Sequence, residues 1–265
     1  MRLSLGTAAL LGLVRLRVDS VPTTAYLLHG EGCIRNCTFC PQAREAGGQK
    51  GRLGRVSWPS FPRDRVFAGL QRAAQLGLQR ICLQAVCEAG GSAALAGLIG
   101  RLSEAVNLPL SLSAPVRSTD EAALFFKEGA DRISIALDGA SEEIYARHKG
   151  GCFQKVLGLL RECARLWPGR MSTHLICGLG ESEEEAAALL DLLIREKITV
   201  ALFAFTPLKG TPLEGYPPPE PASYRRLQAL HYLLRYGHVS WEDLCFKNGR
   251  LISFGINEAR MQRLL

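Results

Sequence analysis

Gly32-Cys33-Ile34-Arg35-Asn36-Cys37-Thr38-Phe39-Cys40-Pro41 follows closely on the apolar run Thr24-Ala25-Tyr26-Leu27-Leu28. Such a run reads as a strand, which places the three cysteines in a loop at its carboxyl end. Cysteines with three and then two residues between them can lay their thiolates over one face of an iron–sulfur cube. A fourth iron is then left without a protein ligand, open to a small molecule. A structural zinc site would want a fourth Cys or His nearby. The next cysteine is the distant Cys82, and His29 stands at a strand end, where a lone histidine is more often an ordinary polar residue.

Working outward, strand-like runs at 24–28, 80–86, 109–113, 132–137, 170–177 and 198–205 alternate with helical patterns at 64–76, 92–106, 119–128, 153–166 and 182–196. A final helix is expected at about 222–236. Ser118-Thr119-Asp120-Glu121 starts one helix, and Lys127-Glu128-Gly129 stops it. Six βα units of unlike sequence predict an α/β fold with a parallel sheet, either doubly wound or curled towards a barrel two units short of eight. In both arrangements chemistry gathers at the carboxyl ends of the strands. The expected organisation is a leading helical extension at 1–23, the wound domain at 24–236 and a tail at 237–265 closing over it, with no interdomain linker.

The 265 residues, 47% apolar and 22% charged, supply one large core or two small ones. No stretch reaches the roughly 18 to 20 apolar residues that span a bilayer. The apolar run near Met1 resembles a signal-peptide core, but Arg15 and Arg17 close it where small cleavage-site residues belong, so 1–17 reads as an amphipathic helix. Nine cysteines, an odd number with three clustered, point to metal chemistry in a reducing, cytoplasmic setting. The net charge of +7 comes from basic residues scattered among acidic ones, without the aromatic interleaving of a nucleic-acid binder. It favours an acidic protein partner or simple solubility, and neither nucleic acid nor membrane is an expected partner.

Cys33-x3-Cys37-x-Phe39-Cys40 resembles the CxxxCxΦC signature of the radical S-adenosylmethionine (SAM) enzymes, whose core is a (β/α)6 partial barrel. The resemblance implies a [4Fe-4S] cluster on Cys33, Cys37 and Cys40, with the amine and carboxylate of SAM on the fourth iron. Electron transfer would cleave SAM to a 5′-deoxyadenosyl radical that abstracts hydrogen from an unactivated carbon. It also places Phe39 against the adenine. His174-Leu175-Ile176-Cys177-Gly178-Leu179-Gly180-Glu181 resembles the family's GxIxGxxE element, with His174 in place of the first glycine, which implies cofactor contacts at Ile176, Gly178 and Glu181. On the residues alone, this is an ordinary βα turn, and Ser182 with Glu185 is spaced as a capping box.

Asp138 takes the family's ribose-binding position; its alternative is a cap for a helix beginning near Ser141. Arg147 and Lys149 offer a cation for the SAM carboxylate, or a solvated basic surface. The family's Gly-Gly-Glu, which holds the methionyl amine, is missing; that region reads Gln84-Ala85-Val86-Cys87-Glu88-Ala89-Gly90-Gly91.

Cys40-Pro41-Gln42 and Lys209-Gly210-Thr211-Pro212-Leu213 resemble the biotin-synthase branch. Thr24-Ala25-Tyr26-Leu27, the run Cys33 to Arg44 and Val56-Ser57-Trp58-Pro59 are more similar still to the two-component, archaeal-type lipoyl synthases. That resemblance implies one subunit of a heterodimer with a second radical SAM chain, inserting sulfur into an octanoyl chain. Its implied partners are the octanoylated H protein or E2 lipoyl domain and a reductant such as ferredoxin or flavodoxin. Sulfur insertion needs a donor, commonly a second iron–sulfur cluster, for which Cys82, Cys87 and Cys245 are the candidates. Cys82 and Cys87 are about 16 Å apart in extended chain and on opposite faces, so a shared cluster requires the loop to turn back.

Cys152, Cys163 and Cys177 read as small buried hydrophobes. The loop 43–61, with Arg44, Lys50, Arg52 and Arg55 against Glu45, reads as a mobile βα loop or as a steering surface for an acidic carrier. Competing readings are a biotin-synthase-like mutase, methyltransferase or cofactor-maturation enzyme, and a non-catalytic iron–sulfur electron carrier or scaffold.

Overall fold

The strands have two unlike faces. In β2 (Thr24–His29), β5 (Arg80–Ala85) and β6 (Leu110–Ser113), Ala25, Leu27, Ile81, Leu83, Leu110 and Leu112 are fully buried. Their neighbours Thr24, Tyr26, Cys82, Gln84, Ser111 and Ser113 remain partly accessible. A parallel sheet covered on both sides shows unbroken apolar runs, so this alternation marks one face lined by polar groups.

The computed structural model describes residues 1–17, 19–48 and 51–264. They divide into two compact units, Met1–Ala136 with Pro207–Gly215, and Leu137–Thr206 with Tyr216–Leu265. In the first unit, β1 (Arg2–Leu3), α1 (Leu5–Leu10) and β2 come first. A small hairpin follows, β3 (Arg52–Leu53) with β4 (Val56–Ser57), and then α2 (Arg63–Gln75), β5, α3 (Ser92–Ala105), β6, α4 (Thr119–Lys127) and β7 (Arg132–Ser134). The sheet order is β1-β2-β5-β6-β7, with β1 antiparallel at one side and the others parallel. Register aligns Tyr26, Cys82, Ser111 and Arg132 in one row and Gln84, Ser113 and Ser134 in the next.

The second unit holds α5 (Glu142–His148), α6 (Phe153–Leu166), β8 (Met171–Cys177), α7 (Glu183–Arg195), β9 (Thr199–Ala204) and α8 (Pro221–Arg235). The hairpin β10 (Cys245–Lys247) with β11 (Arg250–Ser253) and α9 (Glu258–Leu264) complete it. Strands β8 and β9 are parallel. Glu183 receives two hydrogen bonds from Arg226, at 3.0 and 2.5 Å, and one from the Leu251 N–H at 2.9 Å, joining α7, α8 and the hairpin.

The class is α/β, and each of the six expected strands is present with a helix after it. Two expectations change. The helix expected over 1–17 is only Leu5–Leu10. It starts on Ser4, whose hydroxyl accepts from the Thr7 N–H. It stops where Gly12 takes φ +72°, with Leu13 N–H bonded to Ala8 and Gly12 N–H to Ala9, a Schellman ending. The second change is the tail, where 237–265 had no assigned structure and holds a hairpin and a helix. Among the described residues no helix is long and apolar enough to cross a membrane.

Candidate active site

The cysteine loop leaves β2 at Gly30, where φ is +91° and a Cβ would stand 2.9 Å from the Glu88 carboxyl carbon. Only glycine makes that exit without displacing a neighbour. Beyond it, Ile34 N–H donates to the Cys87 carbonyl at 2.8 Å, fastening the loop to the segment after β5. Two tight turns follow, Cys40 N–H to Cys37 at 3.1 Å and Ala43 N–H to Cys40 at 3.0 Å. Arg44 N–H to Arg35 at 2.9 Å closes the loop, and Asn36 and Glu45 exchange side-chain and backbone bonds across the closure. From the 207–215 segment, Leu213 N–H reaches the Thr38 carbonyl at 3.3 Å.

Cys37 is buried, while Cys33, Phe39 and Cys40 are half-buried. None of the nine cysteines is bridged. Among the described residues no three His, Cys, Asp or Glu side chains converge as tightly as a single metal ion requires. A four-iron cube binds each thiolate on a different iron, so its sulfurs stand further apart than the ligands of one ion. Three unbridged thiols on one closed loop fit that larger group as a donor set.

Cys82, Cys87 and Cys245 have three different settings. Burial pushes the Cys82 thiol up to about 11, so it stays protonated at neutral pH. Cys87 lies beside the cysteine loop through its carbonyl, and Cys245 is exposed on β10. Cys163 and Cys177 are buried hydrophobes, with thiols pushed up to about 11 and about 12 by burial. Cys152 is a correction: it precedes α6 at an exposed position, where no core surrounds it.

Glu88, passed over because the Gly-Gly-Glu spelling is absent, has its carboxylate at the loop, accepting from the Glu31 N–H at 2.9 Å. Its signal was its place three residues beyond a strand end. Beside it, the His29 Nε2 is buried without a partner and burial lowers that imidazole's pKa.

In the second unit, Asp138 does not cap α5. Its backbone takes φ +65° and enters the β8 ladder, with its N–H bonded to His174 and its carbonyl to Ile176. Its carboxylate pairs with Lys149 at 2.8 Å, the two side chains only 14% and 9% exposed. Lys149 also lies over the Tyr145 ring, 5.4 Å from its centre. The cation beside Asp138 is therefore Lys149; Arg147 turns its guanidinium to Glu143, one helical turn back on the exposed face of α5.

Ile176 and His174 lie on the partly accessible face of β8, and His174 meets Phe203 edge-on at 5.3 Å. Burial, the largest influence, lowers the His174 pKa and keeps the ring neutral. After Gly178, at φ +99°, the Glu181 carboxylate accepts from the Gly178 and Leu179 N–H groups at 2.5 and 2.9 Å. Glu181 thus holds its own turn, and the capping box of Ser182 and Glu185 is formed. An open cleft lies between this turn and the Tyr216 to Glu220 segment.

The Radical SAM superfamily model matches residues 27–193, more than half of the chain. Ribosomal protein uS12 methylthiotransferase RimO of Prochlorococcus marinus (strain AS9601) is 27% identical over 212 residues, which cover 73% of this chain and 44% of that protein. The chain spans less than half the length of the curated relatives it matches. Methylornithine synthase (PylB) has the same fold at a TM-score of 0.63 and 15% identity, over 80% of this chain and 62% of that one. SuiB of Streptococcus suis, in its structure bound to S-adenosylmethionine, matches at 0.58 and 15% identity, over 81% and 47%. Family model, cysteine loop and fold agree: the chain belongs to the radical SAM superfamily, whose chemistry rests on a [4Fe-4S] cluster and SAM.

Proposed function

We propose that the chain is a sulfur-inserting radical SAM enzyme, one subunit of a two-component lipoyl synthase acting on an octanoyl chain carried by a protein. The observation that supports it most is the closed loop from Cys33 to Arg44, with three thiols in the family spacing and Pro41-Gln42-Ala43-Arg44 continuing it. In this reading Cys33, Cys37 and Cys40 hold the cluster. Phe39, Ile176 and Gly178 are assigned to the adenine and Asp138 to the ribose hydroxyls, from their motif positions; Lys149 orients the Asp138 carboxylate. When bound, the cluster and SAM together supply a radical able to take hydrogen from an unactivated carbon. Glu181 acts on the cofactor only through the turn it holds. Cys82, Cys87 and Cys245 remain the candidate donors for an auxiliary cluster.

The proposed partners are a second radical SAM subunit, an octanoylated H protein or E2 lipoyl domain, and a ferredoxin or flavodoxin as reductant, in the cytoplasm. Arg44, Arg52 and Arg55 are exposed and suit an acidic carrier; Lys50 lies outside the described residues. Carrier association should weaken as salt is raised, and a salt-independent affinity counts against that surface.

The 27% identity to a methylthiotransferase favours a second reading, transfer of a methylthio group. Anaerobic turnover with SAM, a reductant and an octanoylated carrier, with and without a candidate partner subunit, separates them by mass spectrometry. Sulfur added without a methyl group supports the first reading and a methylthio product the second. An intact cluster that forms no 5′-deoxyadenosine would sink both.

A further inference from the structure

One side chain fastens both ends of the cysteine loop. Arg2 lies in β1, which pairs with β2 at Arg2↔Leu28 and bridges to Ser60 on its other side. From there its Nη2 donates to the Gly30 carbonyl, and its Nη1 donates to Gln42 Oε1 at 2.8 Å. Gly30 precedes Cys33 and Gln42 follows Cys40, so the guanidinium brackets the whole cysteine run. Gln42 is buried, at 4% exposure, and carries the bracket onward, its Nε2 donating to the Arg52 carbonyl at 2.6 Å.

Two acceptors belonging to different parts of the chain are held by one planar fork. A lysine, a point charge on a flexible stem, has no planar fork to hold the two in one geometry. The bonds are charge-assisted and partly shielded from water, the setting in which such bonds are strongest. The Arg44–Arg35 and Asn36–Glu45 bonds close the loop from Arg35 onward and leave Cys33 outside; among the ties described above, the Arg2 bracket is the one that spans the whole cysteine run, from Gly30 to Gln42.

We propose that Arg2 is a positioning residue for the cysteine loop, fixing the span from Gly30 to Gln42 so that the three thiols keep the spacing a bound cluster needs. The inference rests on Cys33, Cys37 and Cys40 being the cluster ligands.

The test uses anaerobically reconstituted protein and follows iron transfer to a chelator below the melting temperature, together with the change that SAM makes in the electron paramagnetic resonance spectrum of the reduced cluster. In Arg2→Ala, iron leaves about tenfold faster than in the wild type, and the SAM-induced change is diminished. Arg2→Lys stays closer to Arg2→Ala than to the wild type. Gln42→Ala cuts one arm of the bracket from the other side and moves the same two readouts, which keeps the test open where Arg2→Ala does not fold. Effects of the two substitutions combine to less than their sum. Wild-type release and an unaltered spectral change in both variants overturn the bracket. Cys33→Ala tests the underlying reading separately: a full cluster in that variant removes Cys33 as a ligand, whatever Arg2 does.

Discussion

The loop after β2 and the turn after β8 are both strand-to-helix connections, but they are held in opposite ways. The first closes on its own Arg35–Arg44 and Asn36–Glu45 bonds but needs fastenings from elsewhere as well: Arg2 from β1, the Cys87 carbonyl beyond β5 and Leu213 from a distant segment. The second supplies its own, with Glu181 satisfying the N–H groups of Gly178 and Leu179 and Ser182 exchanging bonds with Glu185. A turn that satisfies its own backbone stands without a ligand. A loop that carries three thiols cannot pair them with one another without losing them as ligands, and it depends on its neighbours for shape.

Breaking the first region should therefore abolish function, whereas breaking the second should subtract stability in steps. Replacing Cys33, Cys37 or Cys40 by Ala removes the cluster and all 5′-deoxyadenosine formation, measured as iron and sulfide per chain and as product after anaerobic reduction. Cys163→Ala, deep in α6, leaves both at wild-type levels in the protein that folds.

The same contrast explains what the sequence shows. The cysteine spacing and the Ser182 and Glu185 box are local patterns, and both are legible. Arg2 is forty residues from Gln42, and no periodicity or spacing connects them. Helix α5 was visible only as a start near Ser141 because its seven residues are too few for a helical period to stand out. The tail hairpin is equally short, and the pairing of Asp138 with Lys149 was not legible because tertiary packing makes it. The strands survive these omissions because alternation of apolar and polar residues, as in Ile81 to Gln84, is written into every two positions.

Beside the second region, where Asp138 joins the β8 ladder, the largest loss belongs to Lys149→Met, which strands a nearly buried carboxylate. Breaking such a pair costs about 3–5 kcal/mol, read by chemical denaturation, and adding Asp138→Asn returns much of it. A loss under about 1 kcal/mol would mean that the pair is effectively solvated.

Glu181 comes next. Burial raises its carboxyl pKa above the ordinary 4.5, although the Gly178 and Leu179 N–H groups pull it down. The folded chain then takes up this proton before the unfolded chain does. Stability attributable to the residue rises as pH falls from the raised value towards 4.5, and the gain is absent from Glu181→Gln. Glu181→Ala leaves two backbone donors without their acceptor and costs about 2 kcal/mol at neutral pH. Equal pH profiles for wild type and Glu181→Gln would contradict the burial of this carboxylate.

The smallest effect, and the sharpest comparison, is Ser182→Ala. Its hydroxyl accepts from the Glu185 N–H at 3.1 Å while the Glu185 carboxylate takes the Ser182 N–H at 2.8 Å. Losing the hydroxyl costs about 1 kcal/mol, and Ser182→Asp, which restores an acceptor at the start of α7, recovers most of it. Cluster content should be untouched in both, because nothing in the cysteine loop hangs on this box. If iron release quickens in Ser182→Ala as it does in Arg2→Ala, the two connections are energetically coupled, and the division between a loop held from outside and a turn held from within no longer describes the molecule.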